Sequence, residues 1–434
     1  MSIPRHFTVV GGGIVGVCCA LFLQRDGHTV TLIDRGEPGA GCSFGNAGII
    51  HAGGLVPLAM PGVLRRIPAM LRDPLGPLVI RWPYLPRLAP FLWRFLLSAR
   101  PARVEAVAAA LAGLIERAFD SYEVLIKASG AERLIRRTGE LYVFETDAGL
   151  ATMQAANALR RRHGVRIETL SPGELAEMEP ALAPIFRHAR FFPDCISTFD
   201  PFDLTTALAA HFRTAGGTIL REEVRDIRIS EQGSRTLVTE AGERVFDGLV
   251  LATGAFSKPW AARLGSRVPL DTERGYHLIL PDPGLTLGRP VGFGDRRFGC
   301  ISLSGGLRVV GQAELASVDA PPNFSRADML LQLVQRVLPD LDTRNARPWM
   351  GHRPSTPDSL PVICRAPKVR DVWFAFGHGH VGLTLGAVTG RLISDLVAGR
   401  NSGLDLSPFH VDRFAGFGRR PAHTPSFQSE GRTS

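Results

Sequence analysis

"FTVVGGGIVGVCCALFL", residues 7–23, runs from an apolar, β-prone strand through a glycine cluster into an apolar helix. Gly11, Gly13 and Gly16 stand at the G-x-G-x-x-G spacing that opens a helix after a strand. The first glycine permits a tight turn, the second lets the backbone approach a pyrophosphate, and the third lets helix and strand pack closely. Phosphates then meet the free amides of the helix N-terminus. "HTVTLID" follows as a second strand and ends on Asp34, 18 residues after Gly16, where a carboxylate can hold a ribose hydroxyl. Together these features predict a dinucleotide-binding unit.

The chain has 434 residues, long for one hydrophobic core, so two domains are expected. Hydrophobic content of 45% and charged content of 21% exclude a disordered or fibrous chain. The net charge of +9 does not read as nucleic-acid binding. Lys127, Lys258 and Lys368 are the only lysines, so arginine supplies 47 of the 50 basic residues, and no nucleic-acid motif accompanies them. The six cysteines show neither C-x-x-C nor metal-finger spacing. Cys18 and Cys19 read as buried thiols of the first helix. The N-terminus enters a core strand without a charged leader and apolar stretch, so the expected location is the reducing cytoplasm.

Beyond Asp34 lies a glycine-dense loop, "RGEPGAGCSFGNAGIIHAGG". From Leu55 to Arg100 prolines punctuate apolar stretches, and seven arginines face the single Asp73, giving +6. Residues 101–128 read as one long amphipathic helix, and "SPGELAEMEP" as a short capped one. "DGLVLATGAFS" is a buried strand, and strand signals dominate from Val268 to Gln312. Near the C-terminus "DVWFAFGHGHVGLTLGAVTGRLISDLVAG" repeats the opening order of strand, glycine-rich turn and helix.

"VVGGGIVG" with Asp34, "LATGA" at 251–255 and "GHGHVGLTLG" at 377–386 resemble the FAD-dependent D-amino-acid oxidase superfamily. "SFGNAG" at 43–48 and "HRPSTPDSLPVI" at 352–363 resemble its D-amino-acid dehydrogenase branch. The resemblance implies an α/β fold: a Rossmann-like FAD-binding domain of the glutathione-reductase type, with an inserted β-rich α+β substrate domain. The expected FAD-binding domain is 1–60, 198–262 and 345–415. The substrate domain is 101–197 and 263–344, with 61–100 as a basic, proline-rich cap or membrane-facing segment and 416–434 as a disordered tail.

The resemblance also implies a permanently held FAD. Gly11, Gly12, Gly13, Ile14, Val15 and Gly16 would hold its pyrophosphate, and Asp34 with Arg35 its adenosine ribose. Ser43, Asn46, Ala47 and Gly48 would line the flavin's inner edge, and Val224, Thr253 and Gly254 the adenosine half. Gly377, His378, Gly379, Val381, Gly382, Leu383 and Thr384 would cap the ring, where helix amides stabilise charge on the reduced flavin. Cys364 departs from the glycine usual in related dehydrogenases.

Oxidation of an amino acid needs a carboxylate anchor, and arginine's fork grips both oxygens. Arg353 in "HRPSTPD" is the leading candidate, because the matching arginine of the family faces the flavin. Tyr276 in "GYHL" reads either as a carboxylate or amine ligand or as a core aromatic. His51 reads either as a substrate-amine contact or as a hydrogen-bonded loop histidine. His378 and His380 form an H-x-H, but no third ligand has suitable spacing, so no metal is expected. The expected activity is dehydrogenation of D-amino acids, including proline-like cyclic imino acids, with a quinone or an electron-transfer partner as acceptor. The alternatives are a glycine- or sarcosine-type oxidase using oxygen, and a non-catalytic flavin subunit. Residues 55–100 read either as a cap over the site or as a surface resting on the inner face of the cytoplasmic membrane.

Overall fold

The computed structural model describes residues 4–62, 76, 78–229 and 235–415. The expectation for the tail at 416–434, and part of that for 61–100, fall outside these residues. The strand His6–Val10 pairs in parallel with Thr29–Asp34 on one side and Gly248–Leu251 on the other. Thr218–Arg221 and Val372–Phe376 extend the sheet in parallel, and Val362–Arg365 ends it antiparallel. Gly248–Leu251 and Val372–Phe376 are buried at every position, as parallel strands are when both faces are covered.

Two helices decide the geometry of this unit. Ile14–Arg25 and Gly382–Ala398 each begin just past the end of a parallel strand, and they pack against each other. Their contact is close because a Cβ at Gly390 would stand 2.6 Å from the backbone of Cys18. Both N-termini therefore emerge at the same end of the sheet, where open α/β sheets bind ligands.

The second sheet has nine strands. Arg347–Ser355 lies beside Asp271–Leu280, followed by Gly306–Leu315, Phe298–Leu303, Val291–Phe293, Glu140–Phe144, His188–Phe192 and Glu168–Leu170. The helix Ser325–Val337 covers one face, burying Leu330 and Val334 with Tyr276, Leu278 and Leu280. The other face turns toward the glycine loops of the first sheet.

Residues 101–128 form two helices, Pro101–Glu116 and Ala118–Ser129, not one. At the break, Arg117 donates to the Gly113 carbonyl and Ser121 Oγ to the Arg117 carbonyl, so side chains satisfy what the interrupted ladder leaves. Within 61–100, Leu78–Ile80 adds to the second sheet beside Ala313–Leu315, and the helix Leu85–Ser98 buries Leu88 and Phe91 against Leu315.

Candidate active site

The opening glycines build a cradle from backbone. Gly11 has φ +111°, and a Cβ there would lie 2.3 Å from the Ala252 carbonyl oxygen. A Cβ on Gly16 would lie 1.8 Å from the Gly11 oxygen. Both positions are closed to any side chain. Gly13 differs: a Cβ there meets only Ser43 Oγ, at 3.4 Å, so the space in front of it is open. The helix Ile14–Arg25 has no side-chain cap on Gly13; its Ile14 amide donates to Ser43 Oγ at 2.9 Å. Asp34 accepts from Gly12 (2.6 Å) and Gly36 (2.8 Å), one amide per oxygen, and each oxygen retains acceptor capacity. Arg35 stacks over Phe256, 4.4 Å from the ring centroid, beside Thr253 and Gly254. Val224 opens a strand two residues after Glu222, whose amide donates to the Asp34 carbonyl. An open cradle at a helix N-terminus and a carboxylate at the strand end fit a dinucleotide.

The loop 43–48 is held from the second sheet. Asn46 Oδ1 accepts from the Gly48 amide at 2.8 Å, and Gly48 has φ +73°. Arg308 donates to the carbonyls of Phe44 (2.7 Å) and Asn46 (2.6 Å) and stands 3.7 Å from Asp200. Trp349 lies on Gly45, where a Cβ would come within 1.8 Å of its ring, and stacks on His277 at 4.6 Å. Burial, then Arg308, pushes His277 down to about 3, so this imidazole is neutral. Arg308 is a positioning residue that the sequence did not reveal, because strand arginines resemble solvated ones until a loop folds over them.

The C-terminal turn divides its two histidines. His378 is buried, donates to or accepts from Thr389 Oγ1 at 2.9 Å, and is pushed by burial to about 3. Its side chain is thus committed to the helix Gly382–Ala398. His380 turns the other way and bonds Glu273 Oε2 at 2.7 Å. The H-x-H pair does not converge on one ion. Leu383 is tied by its carbonyl to the Tyr122 hydroxyl, and Thr384 Oγ1 accepts the His51 amide.

Antiparallel pairing places Glu273 opposite Arg353, Gly275 opposite Gly351 and His277 opposite Trp349, all on the loop-facing side. Arg353 lies flat over Gly275, where a Cβ would be 2.3 Å from Cζ. It is half-buried and makes no hydrogen bond or ion pair among the described residues. Burial lowers its pKa, and Glu273 and Cys42 oppose that shift. A desolvated guanidinium opposite Glu273 and beside the Cys42–Ser43 loop, with no hydrogen bond among the described residues, has donors free for a further anion.

Tyr276 points the opposite way, and of its two readings the structure shows the core aromatic, not the substrate ligand. Its hydroxyl donates to Glu314 at 2.6 Å, accepts from the Asn323 amide at 3.0 Å, and belongs to the cluster under the helix Ser325–Val337. One residue of alternation separates this face from that of Gly275 and His277. Tyr276→Phe is expected to cost about 1–3 kcal/mol in denaturant unfolding, as loss of a bond to a buried acid does, with kcat/KM within about twofold.

His51 is held in a cluster of its own. Its Nδ1 lies 3.1 Å from Cys195 Sγ and 3.3 Å from Glu140 Oε2, and accepts from the Gly53 amide at 3.2 Å. Burial, then Arg160, pushes it to about 3, and burial raises Glu140 to about 7. Among the described residues neither Tyr276 nor His51 bonds to Arg353. Arg353 is joined instead by Glu273 and His380.

The family model for FAD dependent oxidoreductases (DAO) matches residues 6–396. A D-amino-acid oxidase of Bradyrhizobium diazoefficiens is 38% identical over 94% of this chain and 99% of its own. A D-amino acid dehydrogenase of Paramagnetospirillum magneticum is 32% identical over the same shares. Glycine oxidase from Geobacillus kaustophilus shares the fold, with a TM-score of 0.71 at 24% identity, covering 95% of this chain and 100% of that one. L-proline dehydrogenase from P. horikoshii also has a TM-score of 0.71, at 20% identity, covering 96% of this chain and 99% of that one. With the cradle, the strand-end carboxylate and a match across nearly the whole chain, the protein belongs to the FAD-dependent oxidoreductases of the DAO family and is an enzyme that uses FAD.

Proposed function

We propose that the enzyme oxidises D-amino acids, cyclic imino acids included, and that Arg353 anchors the substrate carboxylate. The observation that carries this reading is the unpaired Arg353 guanidinium over Gly275, on the sheet face that meets the glycine loops. The names of the relatives, a D-amino-acid oxidase and a D-amino acid dehydrogenase, support the substrate class. Bound FAD supplies the acceptor for the α-hydrogen, taken as hydride. The chain's own part is orientation: a two-point grip on the carboxylate leaves only rotation about one axis to be fixed, and positioning of this kind is worth several kcal/mol. Glycines at 275 and 351 leave room above the strands for the Arg353 guanidinium and the Trp349 ring. The product imine hydrolyses to a 2-oxo acid and ammonia, or remains a ring imine.

The deciding experiment mixes the holoenzyme anaerobically with a panel of D- and L-amino acids while the flavin absorbance is followed. Bleaching by D-substrates and D-proline is expected. Bleaching by L-substrates alone, or by none, overturns the reading. With oxygen readmitted, little peroxide per turnover is expected, because electrons pass to a quinone; stoichiometric peroxide would favour the oxidase alternative.

A surface feature supports that acceptor. Trp82 and Trp93 are 65% and 63% exposed, with exposed Arg87 and Arg100 nearby, the mixture that rests on an anionic lipid surface. Arg81 is not part of it, since it donates to Glu314 and to the Pro321 carbonyl. Sedimentation with anionic vesicles at low salt, lost as salt rises, is the expected result. Indifference to vesicles at every ionic strength reduces the segment to a cap.

A further inference from the structure

We infer that His380, oriented by Glu273, is the base that takes the ammonium proton of the substrate. This rests on the amino-acid reading above. An amino acid binds mainly with a charged ammonium group, and its nitrogen must be neutral before its lone pair can help expel the α-hydrogen. A group at the site has to accept that proton.

The geometry supplies one. His380 sits in the turn Gly379–Val381, and this turn packs on the strand Arg347–Ser355: a Cβ on Gly379 would lie 3.9 Å from Ser355 Oγ. Glu273 is the direct cross-strand partner of Arg353. The bond from His380 Nε2 to Glu273 Oε2, 2.7 Å long, therefore places the imidazole one side chain away from the carboxylate anchor. A carboxylate only accepts, so Nε2 carries the hydrogen and Nδ1 is left with its lone pair free. Nδ1 has no partner among the described residues. This is the arrangement of a base held in one tautomer by an acid behind it.

The surrounding charges agree. Burial opposes ionisation of Glu273, but His380 and then Arg353 outweigh it and hold the carboxyl below its ordinary value. Cys42 lies beyond Arg353, and burial raises its thiol to about 11, so it stays neutral. In the transfer, one N–H bond of the ammonium breaks, its electron pair stays on the nitrogen, and an Nδ1–H bond forms. The imidazolium faces the Glu273 carboxylate, and with the His380 side chain 39% exposed, the proton passes on to water.

The test uses flavin-loaded enzyme. For the wild type, kcat/KM is expected to fall toward acid. His380→Gln is expected to lower kcat/KM by about 10²–10³-fold near neutral pH, the usual worth of a general base. Its profile should rise again at high pH, where the amine loses its proton unaided. A second readout needs no turnover. 2-Aminoisobutyrate has carboxylate and ammonium but no α-hydrogen. On its addition, the histidine ¹⁵N resonance missing from His380→Gln should move from a free lone pair to a protonated nitrogen, and isobutyrate, which lacks the amine, should not move it. A profile that His380→Gln leaves unchanged, or a resonance indifferent to 2-aminoisobutyrate, overturns the proposal. If His380→Gln does not retain flavin, the wild-type spectrum decides alone. Failure of every amino and imino acid to reduce the flavin overturns the amino-acid reading instead, and this inference with it.

Discussion

Arg353→Ala is expected to reduce kcat/KM for D-amino acids by about 10²–10⁴-fold while the flavin content stays normal. Removing one partner of a desolvated ion pair costs roughly 3–5 kcal/mol, and each 1.36 kcal/mol is a factor of ten. The guanidinium rests on Gly275 and makes no bond to the protein, so its loss leaves the strand pairing intact. Arg353→Lys should recover little, because an ammonium cannot match both carboxylate oxygens from that flat position. Steady-state kinetics together with the visible spectrum check this. Near-normal kcat/KM in Arg353→Ala would remove the residue from the site.

Gly13→Val is expected to yield a folded apoprotein with no flavin. A Cβ at Gly13 meets only Ser43 Oγ, at 3.4 Å, and the residue's φ of −70° suits any side chain. Far-ultraviolet circular dichroism should therefore stay native. The added methyls fill the space where a pyrophosphate must approach the helix amides. Gly16 is the contrasting case. Its Cβ would sit 1.8 Å from the Gly11 oxygen, so even Gly16→Ala should lower the yield of folded protein. Flavin retained in Gly13→Val would show that the phosphates lie elsewhere.

The first sheet was legible because its signals are local. Strand, turn and helix within residues 6–34 each follow from near neighbours, and the parallel strands announce themselves as unbroken apolar runs. The helix Ser325–Val337 was not read, since its stripe of Leu330, Leu333 and Val334 acquires meaning only against the sheet it covers. The break at Arg117 turns on a side chain folding back to Gly113, which periodicity does not report.

Within the site, the sequence by itself determined the glycine cradle and Asp34, because each is a residue type demanded at a spacing, whereas the loop 43–48 and Arg353 are marked only by the family resemblance. Only the tertiary structure decided which neighbours work with them. Tyr276 and Gly275 are adjacent in the chain and lie on opposite faces of a strand. His378 and His380 are two residues apart, yet one is buried against Thr389 and the other reaches Glu273, 107 residues away. A pleat reverses direction at every residue and a turn at every two, so facing is set by strand pairing across long sequence separations, and a linear pattern does not carry it.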